Sequence, residues 1–191
     1  TEDSDVECLT TGREGVGGGI EISADEVELS GYLRTRSGDN KISESWTGNA
    51  ETHNMRIAAK GGDINLNAKR ILIDKTSVNR SDPDNWITTN GMESGLSTIA
   101  TSAGDAGDIN INSDKLSIIG GNFGGQSRSS YPTRAQSAIY SWTKVRPHGG
   151  LKLKAGRGGD ISINSKAVDL IDACIKSMSN GSGDLGDINM K

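Results

Sequence analysis

Gly61-Gly62-Asp63-Ile64-Asn65-Leu66-Asn67, with Ile71 and Ile73 close behind, is the stretch that decides the fold. The same pattern opens earlier as Gly17-Gly18-Gly19-Ile20-Glu21-Ile22. It returns as Ala106-Gly107-Asp108-Ile109-Asn110-Ile111, as Gly158-Gly159-Asp160-Ile161-Ser162-Ile163, and as Leu185-Gly186-Asp187-Ile188-Asn189-Met190. In the four full copies a second apolar pair follows: Val27 and Leu29, Ile71 and Ile73, Leu116 and Ile118, Val168 and Leu170. Its offset from the repeat Ile is 7 each time (27 − 20, 71 − 64, 116 − 109, 168 − 161). Pairs at i and i+2 have strand periodicity, so both side chains share a face. Short β-branched segments bounded by Gly and Asp exclude helix, and each copy reads as strand, short turn, strand.

The copies lie 44, 45, 52 and 27 residues apart (64 − 20, 109 − 64, 161 − 109, 188 − 161). The last is the basic period, and the others carry insertions of 17, 18 and 25 residues (44 − 27, 45 − 27, 52 − 27). Ile99–Asp108 matches Met178–Asp187 closely, and these segments supply a third strand ahead of the next Gly-Asp-Ile. The alternative, in which each long repeat holds two short coils, fits that match less well. A 27-residue period with three short strands predicts an all-β fold, a parallel β-helix or β-solenoid, in which stacked coils bury what one coil cannot. The expected organisation is a tail over 1–14 and a single solenoid of about five coils over 15–191. Loop insertions are expected near 34–53, 79–95 and 121–148.

Composition agrees with a thin core. Hydrophobic residues make up 32% of the 191 residues, against about 45–50% in an ordinary globular domain. The β-branched alternations argue against disorder. The net charge of −4 argues against nucleic acid as a partner. No apolar run approaches the roughly 20 residues of a membrane span. The acidic opening Thr1-Glu2-Asp3-Ser4-Asp5 reads as a mature protein or a fragment, without a signal peptide.

Positions that stack carry polar side chains. Asn67, Asn112 and Asn164 each stand three residues after the repeat Ile, with Ser23 in the first copy, and predict a structural Asn ladder. Asp63, Asp108, Asp160 and Asp187 form a second column, broken by Gly19. Like charges about 5 Å apart repel, so these carboxylates must be solvated, bonded to turn amides or paired with a cation. Turn capping is the preferred reading, with calcium the alternative. Gly15-Val16-Gly17-Gly18-Gly19 lacks a Gly-Lys-Ser/Thr ending and precedes a strand, which excludes a phosphate loop.

The aromatic residues fall in the insertions. Trp46, Trp86, Trp142, Tyr131 and Tyr140 are the candidate contacts to a partner or another subunit. The competing reading buries them where loops fold back on the solenoid. His53 and His148 also lie in insertions, and Arg128, Arg134 and Arg146 in the third one could serve an acidic sugar. No His-x-x-x-His pair, Gly-x-Ser-x-Gly elbow or metal-ligand cluster is found. No catalytic residue, metal or cofactor is therefore expected. A carbohydrate-binding or polysaccharide-degrading domain stays as the alternative.

The Gly61–Asn67 and Ala106–Asn112 copies resemble the repeats of filamentous-haemagglutinin-like exoproteins of bacterial two-partner secretion. The resemblance covers the coil segments from about residue 15 to 191 and not the insertions. It implies a right-handed parallel β-helix, export to the extracellular space or bacterial cell surface, and a structural or adhesive role, with a host or environmental glycan as a possible target. The expected function is a secreted stalk or fibre module.

The sequence stops at Lys191 inside a new strand, without a polar cap. The expectation is that neighbouring coils of a longer chain cover the ends, or a homo-oligomer stacked head to tail. Cys8 and Cys174 would be about 19 Å apart across four coil steps, beyond the reach of a disulfide within one subunit. They are the candidate intersubunit disulfide of such a stack, the alternative being two free thiols.

Overall fold

The computed structural model describes residues 6–10, 16–37, 59–74, 94–100, 104–120, 137–144, 156–171, 173–180 and 183–191. Among them there is no helix. The strands are β1 (Val6–Thr10), β2 (Ile20–Leu29), β3 (Tyr32–Ser37), β4 (Ile64–Asp74) and β5 (Ser94–Ala100). They continue with β6 (Ile109–Ile119), β7 (Ser137–Lys144), β8 (Ile161–Ile171), β9 (Ala173–Asn180) and β10 (Ile188–Met190). They form two five-stranded parallel sheets, β1-β3-β5-β7-β9 and β10-β8-β6-β4-β2. The chain alternates between the sheets at every strand. A parallel pair normally needs a crossover helix. Here the strand of the opposite sheet does that work.

The even-numbered sheet is the one the repeat encodes. Ile20, Ile64, Ile109, Ile161 and Ile188 stand in one column of its register. In β4 the residues Ile64, Leu66, Ile71 and Ile73 are all at most 2% exposed. An offset of 7 is odd, so a straight strand would send Ile64 and Ile71 to opposite faces. The chain resolves this at a corner where Lys69 and Arg70 are both exposed, and the alternation restarts one residue late. The expected short turn is thus a bend within a continuous strand.

The odd-numbered sheet closes the core from the other side. Leu33, Leu96 and Ile139 form one inward column and belong to the same apolar cluster as Ile64, Ile109 and Ile161. Beside them run Thr35, Thr98 and Ser141, each 0% exposed. This sheet corrects three sequence-derived boundaries. The tail over 1–14 contains strand β1. The insertion near 34–53 begins inside β3, and the one near 121–148 contains β7. The inward positions of these strands are largely Thr, Ser and Cys, so the apolar alternation that betrays the other sheet is missing.

Candidate functional site

The Gly-Gly-Asp corner sets the distance between successive copies of the repeat. Gly18, Gly62, Gly107, Gly159 and Gly186 are equivalent positions. A Cβ at Gly62, Gly107, Gly159 or Gly186 would collide with the carbonyl oxygen of the equivalent glycine one coil earlier. A Cβ at Gly18 meets nothing within 4 Å. Close approach, rather than a special backbone angle, demands glycine here: the positive-φ glycine among the described residues is Gly95, at 112°.

The approach is fixed by hydroxyls from the opposite sheet. Thr35 donates to the Gly62 carbonyl. Thr98 and Ser141 donate to the Gly107 carbonyl at 2.6 and 3.2 Å, and Ser141 accepts from Gly159 N at 2.7 Å. Ser177 continues the series, accepting from Gly186 N at 2.8 Å. These buried polar atoms satisfy corner groups that no strand ladder reaches.

The Asp column is a capping ladder. Asp63, Asp108 and Asp160 each accept, through Oδ1, the backbone N–H of the next Asp at 2.8 Å. Cations lie alongside. Lys60 Nζ is 3.7 Å from Asp63 and 4.0 Å from Asp108, and Arg157 forks onto Asp160 at 2.6 and 3.3 Å. The Asp187 N–H holds the Asp160 carboxyl below the usual carboxylate range; burial opposes this and Arg157 adds to it. Asp160 in turn raises the Arg157 guanidinium further. Beside this column lies one that the sequence reading missed. Lys60, Asp105, Arg157 and Asp184 supply the carbonyls that bond the corner amides of the preceding coil, and their charges alternate in sign. The paired Gly-Asp-x-Gly-Asp runs at 104–108 and 183–187 are its signal.

The outer face of the even sheet is amide-rich. Asn67, Asn112 and Asn164 share a column with Ser23, and Asn164 donates to Asn112 Oδ1 at 3.3 Å. A second column, Asn65 and Asn110, was not singled out from sequence; Asn110 donates to Asn65 Oδ1 at 3.0 Å. Its signal is Asn directly after the repeat Ile. A shallow groove of 480 Å³ runs beside Asn110, Asn112, Asn164 and Lys191. At the corner, Asp25–Lys69 and Asp114–Lys166 pair at 2.8 and 2.7 Å. They are exposed and screened by solvent, so they add little to stability.

Of the aromatic candidates, Trp46, Trp86 and Tyr131 lie outside the described residues. Tyr140 and Trp142 are strand residues of β7, not loop residues. Tyr140 is 4% exposed and clusters with Ile99, Trp142, Cys174 and Met178 on the outer face of the odd sheet. Its ring is therefore not an available contact surface. On the same face the Arg34 guanidinium sits 4.1 Å above the Tyr32 ring.

Cys8 and Cys174 are not bridged to each other. They sit on β1 and β9, the two edge strands of the odd sheet. Cys8 is in the inward column of Thr35, Thr98, Ser141 and Ser177, whereas Cys174 is in the outward column of Ala138, Gly95 and Tyr32. A stack that continues the register would set Cys8 against Ser177, three residues from Cys174 (177 − 174) and on the opposite face. The expected intersubunit disulfide does not fit such a stack.

Among the described residues the exposed large apolar side chains lie on or beside the outer strands: Val6 (48%) and Leu9 (47%) on β1, Val16 (73%) ahead of β2, and Leu170, Ile171, Leu185, Ile188 and Met190 (44–59%) on β8, β10 and the segment between β9 and β10. Among the described residues no group of three or more His, Cys, Asp or Glu side chains is placed to hold a metal ion, and no helix is long and apolar enough to cross a membrane. The chain matches no family model, and no curated protein or solved structure is significantly similar to it.

Proposed function

We propose that the chain is a right-handed parallel β-helix that serves as a structural module. It forms a stalk or fibre of a filamentous-haemagglutinin-like exoprotein, at the bacterial surface or outside the cell, with adhesion carried by its insertions. The observation that carries this reading is the bonding of the repeated Asp and Asn columns from one copy of the repeat to the next. Such bonding serves the stack rather than a substrate. Right-handedness follows the strong preference of parallel crossovers.

The carbohydrate reading has less behind it. Along the groove Asn164 is bonded to Asn112 and Asn110 to Asn65, and no described residue on that face is aromatic. Electron microscopy of the purified protein near neutral pH, with and without reductant, tests the assembly. End-to-end filaments that survive reductant are expected. Dispersed monomers at about 100 μM would refute the fibre role, and glycan binding would then be the question to pursue.

A further inference from the structure

We infer that the Gly-Asp corner is an acid-sensitive clasp: protonation of its carboxylates releases one line of bonds between copies of the repeat while the two parallel sheets stay paired. Two kinds of bond cross this corner. The first runs from a backbone N–H to a backbone carbonyl, as in Gly61 N to Asp105 O at 2.8 Å, Ile64 N to Asp108 O at 2.9 Å and Ile109 N to Asp160 O at 2.8 Å. The second runs from a backbone N–H to a carboxylate. Asp63, Asp108 and Asp160 accept the N–H groups of Asp108, Asp160 and Asp187, each at 2.8 Å. Asp105 accepts the Arg157 N–H at 2.6 Å. Only the second kind depends on a proton, because an ionised carboxylate accepts roughly twice as strongly as a neutral group.

The surrounding charges strengthen that dependence. Lys60 stands 3.7 Å from Asp63 and 4.0 Å from Asp108. Arg157 forks onto Asp160 and reaches Asp187 at 3.9 Å. Asp105 and Asp184 stand in the adjacent column. From the odd sheet the corner is backed by the hydroxyls of Thr35, Thr98, Ser141 and Ser177, which do not titrate in this range. Protonation therefore weakens the acceptor and takes a counter-charge from Lys60 or Arg157 in one step. Lys60 is shared between two carboxylates, whereas Arg157 commits both nitrogens to Asp160, so the Asp160 rung opens last. Gly19 brings no carboxylate to the Asp63 N–H, which makes the first rung a built-in control.

Amide hydrogen exchange of the whole chain, read residue by residue by nuclear magnetic resonance as protection factors between about pH 6 and about pH 3, tests the clasp. The carboxylate-held amides of Asp108, Arg157, Asp160 and Asp187 are expected to lose about five- to tenfold protection over this range. The carbonyl-held amides of Gly61, Ile64 and Ile109, and the Asp63 amide, keep theirs. In Asp160→Asn the Asp187 amide shows the reduced protection already at pH 6 and no longer responds to acid, while the Asp160 amide behaves as in wild type. Arg157→Met moves release of the Asp187 amide to higher pH, and Arg157→Lys moves it back. The carbonyl-held amides report in every variant that the corner is folded. If both sets of amides lose protection together, acid unfolds the stack as a whole and the clasp is overturned. It is equally overturned if the carboxylate-held set stays protected at pH 3, or if Asp160→Asn keeps the wild-type profile.

Discussion

Replacing Gly107 by Ala tests whether the corner glycines set the coil spacing. The added Cβ would overlap the Gly62 carbonyl oxygen, lie 2.5 Å from its carbon and 3.0 Å from Gly61 O. Ordinary contact needs about 3.4 Å or more, so the two coils must separate locally by roughly 1 Å. That separation acts on Gly61 N to Asp105 O at 2.8 Å, on Ile64 N to Asp108 O at 2.9 Å, and on the Asp108 N to Asp63 bond at 2.8 Å. Loss of about two such bonds at about 1 kcal/mol each, with overpacking of about 1–3 kcal/mol, gives about 3–5 kcal/mol. With a urea slope of about 3 kcal/mol/M, the midpoint falls by more than about 1 M. Gly18→Ala is the matched control, with open space at its Cβ and an expected change below about 0.5 kcal/mol. Equilibrium urea unfolding followed by far-ultraviolet circular dichroism reads both. Equal midpoints for the two variants would show that coil spacing does not depend on this column.

Three further outcomes follow from the same geometry. Ser141→Ala strands the buried Gly159 N–H and should lower stability by about 1–3 kcal/mol, whereas Ser141→Thr keeps the hydroxyl; a midpoint equal to wild type for the Ala variant would deny the hydroxyl its bonding role. Ile109→Ala empties a site that is 0% exposed and should cost about 2–5 kcal/mol in the same unfolding assay; a loss under 1 kcal/mol would mean the core is not continuous there. Asp160 has a lowered folded pKa, so its contribution is present above the unfolded value near ~3.9 and is lost as pH falls through the folded one. Urea midpoints measured from pH 6 down to pH 2.5 should therefore fall less in Asp160→Asn than in wild type, and parallel curves would remove Asp160 from the account.

How much of this was legible depends on which sheet a residue serves. In the even sheet, Ile64, Leu66, Ile71 and Ile73 are apolar because they face the core, and the fixed offset declares the register in plain sequence. In the odd sheet the same inward direction is held by Thr35, Thr98, Ser141 and Ser177. Their burial is justified by hydrogen bonds to glycine carbonyls and amides, two of them more than twenty residues away in sequence. Sequence alternation cannot distinguish a buried hydroxyl of this kind from a solvated loop hydroxyl. For that reason Tyr140 and Trp142 read as loop residues, and β1 as tail.

The repeated positions were also the easiest to find and the least free to act on anything else. Asp63, Asp108 and Asp160 each commit one carboxylate oxygen to the next coil, and the Asn columns bond among themselves. A residue that recurs in every copy of the repeat is taken up by bonding to the neighbouring strand, so the columns that declare the fold most plainly are the ones with the fewest atoms left to bind anything else.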